Sequence, residues 1–190
     1  HVVGFQAHAQ LPGFADATPD VVEAILAEGG RICEEVLQPL NVSGDREGCT
    51  HDAATHTVTA PKGFKEAYRA YVDGGWGTID SDPAFGGQGL PFALGFVVLE
   101  NLGTANMGFG LCPILTSGAI EAIASHGSPE QQEMYLPNLV SGHWSGTMNL
   151  TEPQAGSDVG ALRSTAEPAA DGSYRIKGNK IYITFGEHDL

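Results

Sequence analysis

Basic residues are scarce: nine lysines and arginines stand against 23 aspartates and glutamates, a net charge of −14 over 190 residues. That balance repels a phosphate backbone and leaves no lysine or arginine cluster, so a nucleic-acid partner is not expected. An anionic cofactor would have to be held by local donors: backbone amides, hydroxyls and a few placed arginines such as Arg163. Cysteine is rare too. Cys33, Cys49 and Cys112 cannot all pair and match no CxxC spacing, which predicts free thiols in a reducing compartment. His126 and His143 lack paired ligand spacing, so no metal is assigned. No run approaches the roughly 18 apolar residues that span a bilayer, and no basic-then-apolar leader opens the chain, so no membrane span and a cytoplasmic address are expected. What is present is a 42% hydrophobic content, ample for the core of one large domain or two small ones.

The chain divides by pattern. Thr18 is placed as an N-cap with Pro19 after it and Asp20 and Glu23 near the positive end of a helix. Val22, Ile25, Leu26, Ile32, Val36 and Leu37 continue at helical spacing, weakened by Gly29 and Gly30, until Pro39 is expected to end the helix. Residues 41–59 read as polar and turn-rich, with an extended pair near 56–59. A second helix is expected over 61–73, with Phe64, Ala67, Tyr68 and Tyr71 on one face before Gly74 and Gly75. DPAFGGQGLP at 82–91 is too rich in glycine and proline for a helix or central strand and must be a shaped turn. Helices over 92–102 and 107–125 carry little charge on any side, which predicts burial all round at the centre of a bundle. SPEQ from Ser128 to Gln131 has the form of a capping box and opens a helix to about Val140.

After Gly142 the character changes. Residues 144–150, 163–167, 173–177 and 180–184 are short and β-rich, separated by turns such as Asp171-Gly172 and Gly178-Asn179. Four strands after five helices predict an α+β fold: an all-α helical bundle domain over 1–142, then the start of an antiparallel β domain over 143–190. Such a sheet would expose edges and one face, and position 1 is His rather than Met, so the chain is expected to be an N-terminal piece of a longer protein.

The segment with most chemical content is MNLTEPQAGSD, Met148 to Asp158. Thr151 and Ser157 offer hydroxyls, Gly156 admits close backbone approach, and Pro153 fixes a bend, a combination suited to a polar cofactor. Glu152 lies inside it and is a tempting base. Glu187, His188 and Asp189 form a titratable cluster, read as solvated charges.

Together with FGGQG at Phe85 to Gly89 and KIYITFG at Lys180 to Gly186, this segment resembles the acyl-CoA dehydrogenase flavoprotein family over nearly the whole chain. NVSGDREGC at 41–49 and GEHDL at 186–190 look closest to its larger members, including those acting on methylthio-propanoyl-CoA or aliphatic acyl-CoAs. The resemblance implies FAD as cofactor, oxidation of the α,β carbon–carbon bond of an acyl-CoA to a trans-2-enoyl-CoA, and an electron-transfer flavoprotein as acceptor of the electrons. It implies that Met148, Leu150 and Thr151 contact the isoalloxazine ring, that Gly156 and Ser157 meet the pyrophosphate, and that Thr184 bonds near flavin N5. Tyr182 stands where a tryptophan usually packs on the ring, and Phe185 where the common motif has asparagine. The family's catalytic glutamate belongs to a C-terminal helical domain that these residues do not include, so no catalytic residue is assigned here and the piece alone should be inactive. The full-length protein is expected to be a homo-oligomer. An acyl-CoA oxidase is the nearest alternative. A non-catalytic flavin- or acyl-CoA-binding relative, the alkylation-response type included, and a plain helical interaction domain are the others.

Overall fold

A computed structural model describes residues 4–11 and 13–190; His1 lies outside the described residues. Helix α1 spans Pro19–Ile32 behind an extended Thr18, whose hydroxyl donates to Asp20 rather than accepting from the helix. The helical path does not stop at Pro39. Cys33–Leu37 form a π-helical turn, in which Gln38 N donates to Cys33 O, and α2 follows at once over Gln38–Glu47. Pro39 therefore occupies the first turn of α2, where its missing N–H costs least, and the widened turn ahead of it absorbs the misfit. A short hairpin follows, β1 Thr50–Asp52 antiparallel to β2 Thr57–Thr59.

Helix α3 is Phe64–Asp73, and the four residues expected on one face, Phe64, Ala67, Tyr68 and Tyr71, are its buried residues. Three of them surround Phe109, with ring centroids 6.2 to 6.4 Å apart. Burial in this cluster pushes the Tyr68 phenol up to about 12, although its hydroxyl still donates to Gly142 O at 3.0 Å. The turn after α3 is shaped as its composition requires. Asp82 Oδ1 accepts from Ala84 N, Gln88 N donates to Thr78 O and Gly89 N to Ser81 O. A Cβ on Gly87 would lie 1.9 Å from Ser81 O, so this position must be glycine.

Helices α4, Phe92–Ala105, and α5, Met107–His126, pack on one another, with α6, Pro129–Val140, against α5 and α1 against α4. The expectation of burial all round is corrected. Leu94, Val98, Leu102, Phe109 and Cys112 are buried, but Phe92 is 72% exposed and Met107 60%, with Phe96 and Ile114 also open. Among the described residues nothing covers Phe92, Phe96, Met107 and Ile114, so each helix keeps an open apolar strip beside its packed faces. Helix α5 also corrects the reading that no stretch reaches spanning length: by length and composition it could cross a membrane. Here it is a layer of the bundle, wedged between α4 and α6. The capping box of α6 is formed, with Ser128 N donating to Gln131 Oε1 at 2.8 Å and Gln131 N to Ser128 Oγ at 3.3 Å.

One buried polar side chain locks these layers together. Asn106 is 2% exposed; its Oδ1 accepts from Phe109 N to cap α5, and its Nδ2 donates to Leu37 O in the π-turn. Asn106→Ala leaves both backbone groups unserved in the core. Its expected cost is about 1–3 kcal/mol, seen as a lower urea midpoint with an unchanged slope.

Only two of the four strands expected after residue 142 are present: β3 Thr165–Pro168 pairs antiparallel with β4 Tyr174–Lys177. Residues 144–150 and 180–184 form no ladder. The first stretch spends backbone donors on the helices, Trp144 N on Asn138 O and Gly146 N on the Thr116 hydroxyl. In the second, Tyr182 has φ 57°, and Phe185 just beyond it φ 52°, left-handed values that break the strand pleat.

Candidate flavin-facing site

The site is assembled from two segments separated in sequence and joined along their backbones. Residues 143–151 leave α6 and cross α5, where Gly146 sits so close that a Cβ would meet Ala119 Cβ at 2.4 Å. Thr116 Oγ1 receives the Gly146 amide at 3.1 Å and itself donates to Cys112 O, so a buried hydroxyl fixes the crossing point. Residues 180–184 lie alongside: Ile181 N donates to Thr151 O at 2.9 Å and the Thr147 hydroxyl to Thr184 O at 2.6 Å. These bonds bring together the TEP motif and the KIYITFG motif.

Glu152 staples the arrangement from beneath. It is 4% exposed, and its carboxylate accepts from Lys180 Nζ at 2.8 Å, Arg163 N at 2.8 Å, Ser164 N at 3.0 Å and Gln154 Nε2 at 2.6 Å. Lys180 Nζ also donates to Leu150 O. The Lys180 bond first, then the Ser164 and Arg163 bonds, hold the Glu152 carboxyl far below the ordinary value of 4.5. A carboxylate so fully engaged is a poor proton acceptor, which accords with its rejection as a base. This structural role escaped the sequence reading because its partner lies 28 residues away, with no periodic signal to join them.

The sequence-predicted residues lie as follows. Leu150 and Thr151 are half-buried; Met148, Gly156, Ser157, Tyr182 and Thr184 are exposed, Tyr182 at 85%. Gly156 and Ser157 follow a tight turn closed by reciprocal backbone bonds between Glu152 and Ala155. Among the described residues no hydrogen bond joins Gly156 or Ser157 to 180–184; the structure ties Thr151 and Glu152 to the second motif and leaves Gly156 and Ser157 apart. The hydroxyls of Thr151, Ser157 and Thr184 and the amides of residues 148–151, 156 and 157 make no hydrogen bond within the described residues. An open aromatic ring beside a row of unspent neutral donors fits FAD, whose ring is planar and whose pyrophosphate is anionic.

The reading of Glu187, His188 and Asp189 as solvated charges is corrected for His188 and Asp189, while Glu187 is exposed. Asp189 Oδ1 accepts from Ala60 N at 2.8 Å and Oδ2 lies 3.6 Å from Lys65 Nζ, contacts that lower its pKa, the amide foremost. His188 is half-buried; burial pushes its pKa down, against the opposing charges of Glu187 and Asp189.

Residues 23–143 match the family model described as acyl-CoA dehydrogenase, N-terminal domain. A 3-methylmercaptopropionyl-CoA dehydrogenase from Ruegeria pomeroyi is 48% identical over 180 residues, covering 95% of this chain and 30% of that protein. The structure of butyryl-CoA dehydrogenase from Megasphaera elsdenii superposes with a TM-score of 0.73 at 26% identity, covering 89% of this chain and 42% of that one. An acyl-CoA dehydrogenase complexed with FAD from Bacillus anthracis gives a TM-score of 0.68 at 25% identity, covering 87% of this chain and 27% of that one. The chain thus spans less than half the length of these relatives.

Proposed function

Because the chain belongs to the acyl-CoA dehydrogenase family, we propose that the full-length protein is an FAD-dependent enzyme that oxidises an acyl-CoA to its trans-2-enoyl-CoA and delivers the electrons to an electron-transfer flavoprotein. In this reading residues 1–142 are the N-terminal helical domain, residues 143–190 begin the flavin-binding β domain, and the catalytic base lies in a C-terminal helical domain. The observation that carries the reading is the Ile181–Thr151 backbone bond, which sets two distant motifs side by side with their hydroxyls unspent.

The flavin, when bound, accepts the hydride from the β carbon. The chain's own residues hold and orient it. Thr151 and Thr184 offer hydroxyls to the polar edge of the ring, Met148 and Leu150 line it, and Tyr182 gives it an aromatic face. Ser157 offers its hydroxyl and amide to the pyrophosphate, at a position where Gly156 presents no side chain. Neutral donors suit this work in a chain of charge −14, because they bind an anion without needing a basic patch.

The test is the visible spectrum of the full-length protein, recorded anaerobically as acyl-CoAs are added. The 48% identity to the Ruegeria protein makes 3-methylmercaptopropionyl-CoA the first thioester to try, followed by butyryl-CoA. A yellow protein that bleaches with a thioester is the expected result. One that stays oxidised with every thioester, or that holds no flavin, refutes the reading.

A further inference from the structure

Residues 185–190 run back from the second motif onto the helical layer, where Phe185 and Leu190 pack against the core. Within this stretch the His188 ring is held on three sides. Its Nδ1 accepts from Leu190 N at 3.2 Å, its Nε2 lies 2.8 Å from Ser145 Oγ, and the Phe185 ring stands edge-on to it at 5.5 Å. Since Nδ1 is the acceptor, the proton of the neutral ring sits on Nε2 and is donated to Ser145. The next residue, Asp189, fastens the stretch to the helices through Ala60 N, just after β2, and Lys65 of α3.

The two ends that His188 joins are those of the site. Ser145 precedes Gly146, the residue seated on α5, and Phe185 follows Thr184, whose carbonyl receives the Thr147 hydroxyl. His188 thus closes a ring of contacts that begins before the first motif and ends after the second. We propose that His188 is a positioning residue for the flavin site, with Asp189 as its anchor: together they set how residues 146–151 lie on the helical layer. The proposal rests on reading those residues as flavin-facing.

The experiment uses full-length His188→Ala, His188→Gln and Asp189→Asn, with Ser145→Ala as a gentler version that removes only the acceptor. Two readouts are taken: FAD affinity after reconstitution of apoprotein, with the position of the bound flavin's visible band, and amide exchange at Gly146 and Ile181, whose N–H groups donate to Thr116 Oγ1 and Thr151 O. His188→Ala is expected to bind FAD about tenfold more weakly, with a shifted band and roughly tenfold faster exchange, the loss of one hydrogen bond that orders a segment. His188→Gln, which can still donate to Ser145, is expected to recover most of both, and Asp189→Asn to lie between them. Unchanged affinity and exchange in His188→Ala, or no recovery in His188→Gln, overturns the proposal. If His188→Ala fails to fold, Ser145→Ala carries the same expectation and the same refutation. A wild-type protein that binds no FAD refutes the functional reading alone, and the exchange arm still decides whether His188 positions the segment.

Discussion

Full-length Glu152→Ala is expected to purify colourless and to be cut readily between residues 152 and 180, while its helical layer stays folded. The substitution removes one acceptor from four donors. Lys180 can turn its ammonium to water, but the amides of Arg163 and Ser164 cannot move without moving the chain that leads into β3. Removing one partner of a buried ion pair costs far more than the intact pair contributes, and here the orphans are backbone groups. The loss falls on the site because Lys180, released from Glu152, no longer pins Leu150 O and the start of the second motif. A melting transition on the order of ten degrees lower, confined to the β portion, is the expected scale. Glu152→Gln keeps an acceptor for one amide but loses the charge, and should fall between.

Acid gives an independent reading of the same staple. The folded pKa of Glu152 lies below the ordinary 4.5, so its contribution is complete above that value and is lost as pH falls through the depressed one. Wild type therefore keeps this contact at pH 5, and an acid titration of wild type against Glu152→Gln should show the two stabilities converging only well below pH 4. A yellow Glu152→Ala protein with wild-type resistance to proteolysis would refute the staple.

The parts of the fold that were legible in the sequence are those decided by neighbours three and four residues apart. The buried face of α3 and the capping box of α6 follow from local spacing, and the turn at 82–91 from glycine and proline content. Pro39 misled because a π-turn five residues long can admit a proline that an unbroken α-helix would refuse. The apolar faces of α4 and α5 misled for a different reason: composition records that a face is apolar, not what lies over it. For the site, the residue types in MNLTEPQAGSD pointed to a polar ligand, and the resemblance supplied which one. The Glu152–Lys180 pair and the His188–Ser145 contact join positions 28 and 43 residues apart. No periodicity reaches that far, and only the folded chain reveals them.

Gly146→Ala is the second large effect expected, and it comes from a single methyl group. The added carbon would lie 2.4 Å from Ala119 Cβ and 3.3 Å from Thr116 Cα, with Leu115 O at 3.5 Å. Helix α5 cannot yield, because Cys112 and Thr116 are buried within it and Asn106 caps it from inside the core. The crossing segment must therefore lift, which stretches the Gly146–Thr116 bond and carries Met148 to Thr151 outward. Overpacking with loss of that bond is expected to cost about 1–3 kcal/mol in stability. If these residues face the flavin as proposed, a displacement of about 1 Å there should lower kcat of the full-length protein by about a hundredfold, more than the stability change alone implies. The cause can be isolated by making room on the other side. Ala119 is half-buried, so Ala119→Gly deletes the opposing methyl at a cost of roughly 1 kcal/mol in helix propensity. Paired with Gly146→Ala, it should restore most of the lost turnover, so that the two substitutions are strongly non-additive. If the double variant is no more active than Gly146→Ala alone, the close approach to α5 does not set the position of the flavin-facing segment.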